Sequence, residues 1–273
     1  MLQGCKIFDC TLREVGYQTG WYFDTDFARA VYRFAQGKGI DYVELGFFHS
    51  EEADPSRGDF RYCSLRNDNI VEIFKPIKNL VKISAMRDIQ RPLTSLLPRK
   101  DTVIDTIRIL TRSHETDFMV LDKHINEMHE LDYEVFVNFT SAGYNTMSQN
   151  KEFAEHAVKM NVESVEFADT ESVMTPEYVV ETIKICHDAG LKCGVHLHDK
   201  NGTADMLADI ALENGADYMD VTHIGLGGKW KDGNLTVEYL LRKLGVIAGY
   251  EATLIKNDLI EQIIKYVKYS AAG

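Results

Sequence analysis

Eight short apolar runs spaced along the chain, with helix-period segments between them, predict an α/β fold: a single (β/α)8 TIM-type barrel with a short helical tail at its carboxyl end. About eight strand-plus-helix units in roughly 250 residues is what such a barrel requires. The competing architecture is a doubly wound open sheet, but the first turn lacks the glycine-rich dinucleotide fingerprint that would favour it. One catalytic domain over residues 1–273 is expected, with the barrel over about 5–250 and the closing helix over about 254–270.

The first run, KIFDCTL (6–12), reads as a strand whose alternation puts Phe8, Cys10 and Leu12 on one face and Asp9, Thr11 and Arg13 on the other. Asp24 can then cap a helix carrying Phe27, Val31 and Phe34 on one side and stopping at Gly37 and Gly39. The next runs are DYVELGFF (41–48), LVKISAM (80–86), TIRIL (106–110), EVFVNFT (134–140) and SVEFAD (164–169). Thr175 followed by Pro176 opens a helix that Gly190 closes. KCGVHLH (192–198) follows, then a helix between Gly202 and Gly215, then DYMDVTHIG (217–225). Two stretches break the rhythm. The polar connection 49–68 is long enough to be a lid or clamp, and its Arg57 and Arg61 are candidates to hold an anionic substrate or are plain solvated arginines. GLGGKWKDGN (225–234) offers glycines that permit close backbone approach to a ligand or simply a flexible turn.

Composition narrows the function. Hydrophobic residues make up 45% and charged residues 26% of the 273, enough for one large core. Thirty Lys and Arg against 42 Asp and Glu give a formal charge of −12 with no basic block, which argues against nucleic acid and anionic membrane as partners. The start MLQGCKIFDC has no basic region before an apolar core, so neither signal peptide nor anchor is expected and cytoplasm is the default location. Five cysteines (5, 10, 63, 186 and 193) without CxxC pairing argue against a disulfide framework or a thiolate zinc site.

In a barrel of parallel strands functional groups gather where the strands end. His196 and His198 are two apart, so both imidazoles point the same way and can grip one divalent cation. A carboxylate from another strand would complete the set, and Glu14, just past the first strand, is the obvious candidate. The plainer alternative is that each histidine is a hydrogen-bonded core residue.

With DCTLRE, VELGFF, ADT, HLHDKNG and GLGG followed by GN in this order, the chain resembles the DRE-TIM superfamily of metal-dependent lyases and aldolases. That group includes HMG-CoA lyase, the isopropylmalate and homocitrate synthases and 4-hydroxy-2-oxovalerate aldolase, the last being nearest in style. The resemblance implies one divalent metal ion (Mn, Mg, Co or Zn) held by Glu14, His196, His198 and Asn234. It further implies that Arg13 stabilises an enolate oxygen, that Glu44 orients Arg13 or bound water, and that Thr170 and Gly227 meet the substrate. Small-molecule partners would be a 2-oxo acid such as pyruvate and an aldehyde; barrels of this type commonly form homo-oligomers. The chain departs from the pattern in carrying Glu14 where most members have Asp, Val15 before Gly16, and Lys200 after the histidine pair. Tyr17 and Gln18 stand where the aldolases carry a histidine, which leaves Tyr17, His223, His49 or metal-bound water as the general base. A metal-dependent carbon–carbon lyase acting on pyruvate enolate is the expected activity. Lys229 where the acyl-CoA lyase has a cysteine, and a chain ending soon after the barrel, weigh against an acyl-CoA Claisen enzyme. That class, a pyruvate carboxyltransferase and a metal-binding scaffold are the alternatives.

Overall fold

The computed structural model describes residues 4–48, 58, 60, 68–90, 96–228, 233–248 and 253–270. Its eight strands are β1 (Lys6–Asp9), β2 (Tyr42–Phe47), β3 (Lys82–Asp88), β4 (Thr106–Arg112), β5 (Glu134–Thr140), β6 (Ser164–Asp169), β7 (Lys192–Leu197) and β8 (Tyr218–Val221). Each pairs in parallel with its chain neighbours and β8 pairs back onto β1, so the sheet closes into the expected barrel. The helices among the described residues are α1 (Thr11–Thr19), α2 (Thr25–Lys38), α3 (Asp68–Phe74), α4 (Phe118–Glu130), α5 (Met147–Lys159), α6 (Pro176–Asp188), α7 (Ala204–Glu213), α8 (Val237–Lys243) and α9 (Thr253–Ser270).

Local chemistry explains the boundaries. Thr175 accepts from the Tyr178 amide and Pro176 fills the first helical position of α6. Thr146 and Gln149 form a reciprocal capping box on α5. Two sequence expectations change. The opening strand stops at Asp9, and Thr11–Thr19 is a helix ended by Gly20 in the left-handed conformation, so Thr11 and Arg13 do not alternate along a strand. The last strand is likewise short: it stops at Val221, and His223–Gly225 is a 3-10 turn beyond it.

Strand side chains that point outward, among them Leu45, Ile83, Ile107, Val137 and Phe167, pack under the helices in one continuous core. Inside the barrel, the amino-terminal end is plugged by Phe8, Tyr42, Phe136 and Tyr218. Phe8 stacks on Tyr42 at 4.0 Å and meets Phe136 edge-on at 5.4 Å. One step of alternation further along the same strands come Glu44, Asn138 and Asp220, all buried. The barrel therefore has an apolar floor, a charged middle layer and, above it, the carboxyl-terminal mouth. No described helix is long and apolar enough to cross a membrane.

Asp24 precedes α2 but its carboxylate makes no capping bond. It is taken instead by α9, accepting from Lys265 at 2.7 Å, Tyr266 at 2.6 Å and Gln262 at 3.0 Å, while α9 packs against α1. The Lys265 bond first, then those of Tyr266 and Gln262, hold the Asp24 carboxyl down to about 2 from 3.8. A carboxyl depressed in the folded state stabilises it above the unfolded value and loses that contribution as pH falls through the folded one. Amide hydrogen exchange across 253–270 is therefore expected to accelerate selectively between about pH 4 and pH 2, and Asp24→Asn should remove the step. An unchanged pH profile in that variant would refute the tether.

Candidate metal and substrate site

The first turn of α1 carries Arg13 and Glu14 into the barrel mouth, and the junction before it is fixed by buried bonds. Asp9 Oδ1 accepts from the Thr11 amide at 2.9 Å and from the Thr11 hydroxyl, and Thr11 Oγ1 accepts from the His223 amide at 2.9 Å. The His223 Nε2 lies 3.2 Å from Asp9 Oδ2, and its ring sits edge-on to Phe34. His223 thus faces the barrel wall under α2, and it does not line the cavity that the other candidates share. Gly16 is required on the opposite side of the helix, because a Cβ there would meet the Trp21 ring at 2.1 Å.

Beneath the mouth lies a continuous layer of ion pairs. Arg13 Nε donates to Glu44 Oε1 at 2.8 Å, and Arg13 Nη1 contacts Glu14 Oε1. The other Glu44 oxygen accepts from Arg108 Nη1 at 3.0 Å. Arg108, with no exposed surface, also donates from Nε to Glu166 Oε2 at 2.7 Å and from Nη2 to Asp220 Oδ2 at 2.5 Å. Asp220 Oδ2 in turn holds His196 Nδ1 at 2.8 Å, which turns His196 Nε2 toward Glu14 Oε1, 3.8 Å away.

Charge states follow from the surroundings. Burial, reinforced by Asp220 and Glu44, pushes the Glu166 carboxyl up, even against Arg108. Burial acts on Asp220 too, but the Arg108 charge and the His196 bond outweigh it and hold that carboxyl well below the usual range. Burial lowers His196, and burial with the neighbouring His196 and Arg13 takes His198 down to about 2. Both imidazoles are thereby neutral, the form in which a ring nitrogen can ligate a metal.

The mouth encloses a cavity of about 250 Å³ whose wall includes Arg13, Glu14, Tyr17, Thr170, His196 and His198. Asn234 joins them by backbone, bridging antiparallel to His198. Its Nδ2 donates to the Leu226 carbonyl at 3.3 Å, while its Oδ1 is buried with no partner. Gly227, at φ +122°, leaves room for Glu14: a Cβ there would sit 2.5 Å from Glu14 Cβ and 2.8 Å from Asn234 Nδ2. The next residue, Gly228, donates its amide to Glu14 Oε2 at 2.6 Å. One carboxylate, two neutral imidazoles and an orphaned carboxamide oxygen are a donor set that fits a divalent cation. Among the described His, Cys, Asp and Glu residues, Cys10, His196 and Asp220 are the trio whose ligand atoms lie within 4.8 Å of one another, and Glu14, His196 and His198 stand further apart than that. The Cys10 trio fits poorly, because burial raises the Cys10 thiol well above its ordinary value and Asp220 is engaged by Arg108 and His196.

Comparison with known proteins identifies the family of the chain and bears out its fold. The family model described as HMGL-like matches residues 4–264. The chain belongs to the HMGL-like family. Cytosolic homocitrate synthase of Saccharomyces cerevisiae is 27% identical over 231 residues, covering 81% of this chain and 51% of that protein. The 4-hydroxy-2-oxovalerate aldolase of Carboxydothermus hydrogenoformans is 23% identical over 280 residues, covering 97% and 78%. The HMG-CoA lyase structure from Bacillus subtilis superposes with a TM-score of 0.70 at 15% identity, covering 98% of this chain and 94% of that one. This HMGL-like chain thus spans about half the length of the homocitrate synthases it matches.

Of the residues singled out by sequence, the fold gathers Arg13, Glu14, Tyr17, Thr170, His196 and His198 around one cavity, with Glu44 directly behind Arg13 and Asn234 and Gly227 beside Glu14. His223 is turned away, and Arg57, Arg61 and His49 lie outside the described residues. Sequence reasoning passed over Arg108, Glu166 and Asp220. Gly227→Ala should displace Glu14 and Asn234 and lower stability by roughly 1–3 kcal/mol, read by urea denaturation. Wild-type stability in that variant would show the contact to be slack.

Proposed function

We propose that this HMGL-like barrel catalyses metal-dependent aldol addition or cleavage at C3 of a 2-oxo acid, with pyruvate as the enolate component. The observation that carries the reading is Arg13: Glu44 and Glu14 hold two of its nitrogens, and the third, Nη2, is buried in the cavity wall with no protein partner. A buried cationic donor left unmatched is costly unless an anionic oxygen completes it. A divalent ion bound by Glu14, His196, His198 and Asn234 Oδ1 would supply Lewis-acid polarisation of the 2-oxo acid.

The residues of the chain do the rest. Arg13 Nη2 donates to the 2-oxo oxygen as a proton leaves C3 to water and negative charge develops on that oxygen. Glu44 keeps the guanidinium from swinging away, and Arg108 keeps Glu44 in place. C3 then bonds to the aldehyde carbon; the carbonyl electron pair moves to oxygen, which takes a proton from the Tyr17 phenol at the cavity wall. The cavity suits two small molecules, lying below the 300–1,000 Å³ or so of drug-sized pockets.

The similarity to homocitrate synthases supports a second reading, Claisen condensation of a 2-oxo acid with an acyl-CoA. The two are separated by assaying pyruvate methyl deuterium exchange and retro-aldol pyruvate release beside thiol release from acetyl-CoA. Exchange at the pyruvate methyl is expected with at least one of Mn, Mg, Co or Zn, and Arg13→Ala should slow it about 100- to 1,000-fold. Thiol release without pyruvate exchange would favour the synthase; exchange indifferent to Arg13 would remove the assigned oxyanion donor.

A further inference from the structure

The wall across the cavity from Glu14 has its own unmet demand. In an eight-strand barrel β5 stands opposite β1, and the inward residue at the middle of β5 is Asn138. Only 1% exposed, Asn138 donates through Nδ2 to Glu166 Oε2 at 3.5 Å, which fixes the amide so that Oδ1 is the acceptor left over, and this Oδ1 has no partner. On the adjoining rim, Glu171 Oε1 accepts from the Ser141 hydroxyl at 2.8 Å, while Glu171 Oε2 is buried and unpartnered. Both side chains line the same cavity as Arg13 and the paired histidines. Ser141 is held in a left-handed conformation, φ 55°, with its amide donating to Thr170 Oγ1 at 2.9 Å, so the rim is built rather than loose. Two orphaned acceptors on one side and an orphaned cationic donor on the other divide the cavity chemically. The Arg13 side asks for an anionic oxygen; the Asn138 and Glu171 side asks for hydrogen-bond donors.

We infer that the aldehyde joined to the enolate is a hydroxylated one, whose hydroxyl groups donate to Asn138 Oδ1 and Glu171 Oε2. The inference rests on the aldol reading above and specifies its acceptor. Neither side chain takes part in bond making: C3 of the enolate bonds to the aldehyde carbon, the carbonyl pair becomes the alkoxide and is protonated, and the acceptor's other hydroxyls keep their protons. A deoxy aldehyde of the same length fills the space but leaves both acceptors unmet, so its addition is penalised in the transition state.

The test is a competition between glyceraldehyde and propionaldehyde as acceptors for pyruvate in the metal-loaded protein, read as a ratio of kcat/KM. Glyceraldehyde is expected to lead by about 10- to 100-fold. Asn138→Leu and Glu171→Leu should each bring the ratio down about tenfold; a general folding defect lowers both rates together and does not move the ratio. A wild-type ratio near one, or one unmoved in both variants, overturns the inference. If that happens while pyruvate methyl deuterium exchange proceeds, the aldol reading stands and only its acceptor is wrong. Absence of exchange removes both.

Discussion

The guanidinium of Arg108, sealed inside the barrel, is the contact on which the arrangement of the mouth depends. It bonds Glu44 on one side and Glu166 and Asp220 on the other. Glu44 places Arg13 and Asp220 places His196, so one buried cation sets the positions of groups that belong to opposite ends of the chain. Stability alone does not explain such a device, since a buried ion cluster is often no better than a well-packed apolar one. What it does secure is direction. A carboxylate bonded on one oxygen by Arg13 and on the other by Arg108 has little freedom to rotate, and the donor it holds inherits that rigidity.

Counting charges in this layer shows why the mouth suits a cation. Glu14, Glu44, Glu166 and Asp220 are four acids facing two guanidiniums, Arg13 and Arg108. Of the four, Glu166 is the one whose carboxyl burial pushes up, so it carries the least of the excess negative charge. At the open side, Glu14 meets the neutral rings of His196 and His198. Glu14 accepts from the Gly228 amide and stands in the first turn of α1, where the helix dipole favours an acidic side chain.

Much of this was legible in the sequence for a simple reason. The barrel order, the inward pairing of His196 with His198 and the caps at Thr175 and Pro176 are consequences of local period, which a single chain displays openly. The opening stretch misled because Phe8, Cys10 and Leu12 alternate as a strand does, whereas Leu12 and Val15 also share a helical face and Gly20 gives a helix stop. The structure follows the second pattern, since it satisfies the Thr11 amide on Asp9 and sends Arg13 into the mouth. Arg108, Glu166 and Asp220 had a visible signal: each is a charge with an apolar residue on either side, at the alternation position that faces the barrel axis. What sequence could not show was that the three meet, because 58 residues separate Arg108 from Glu166 and 112 separate it from Asp220.

The apolar floor backs the charged layer from below. Phe8 lies under Arg108, with 4.6 Å between the ring centroid and the guanidinium carbon, and Tyr42, Phe136 and Tyr218 close the barrel below it. These buried rings cover the charged layer on its amino-terminal side, and the interactions above the floor act at low effective dielectric. Under those conditions an unmet donor or acceptor is expensive, so among the orphaned atoms those at the cavity, Arg13 Nη2, Asn138 Oδ1 and Glu171 Oε2, with Asn234 Oδ1 beside Glu14, describe by difference what would complete them. Their placement is not symmetrical: the cationic donor and the carboxamide oxygen of Asn234 stand near Glu14, and the other two acceptors stand on the β5–β6 side. A ligand that met Arg13 Nη2 and the two acceptors of the β5–β6 side would carry an anionic oxygen at one end and hydroxyl donors at the other, the polarity of a hydroxylated 2-oxo acid lying across the barrel mouth, while Asn234 Oδ1 calls for a donor or a cation.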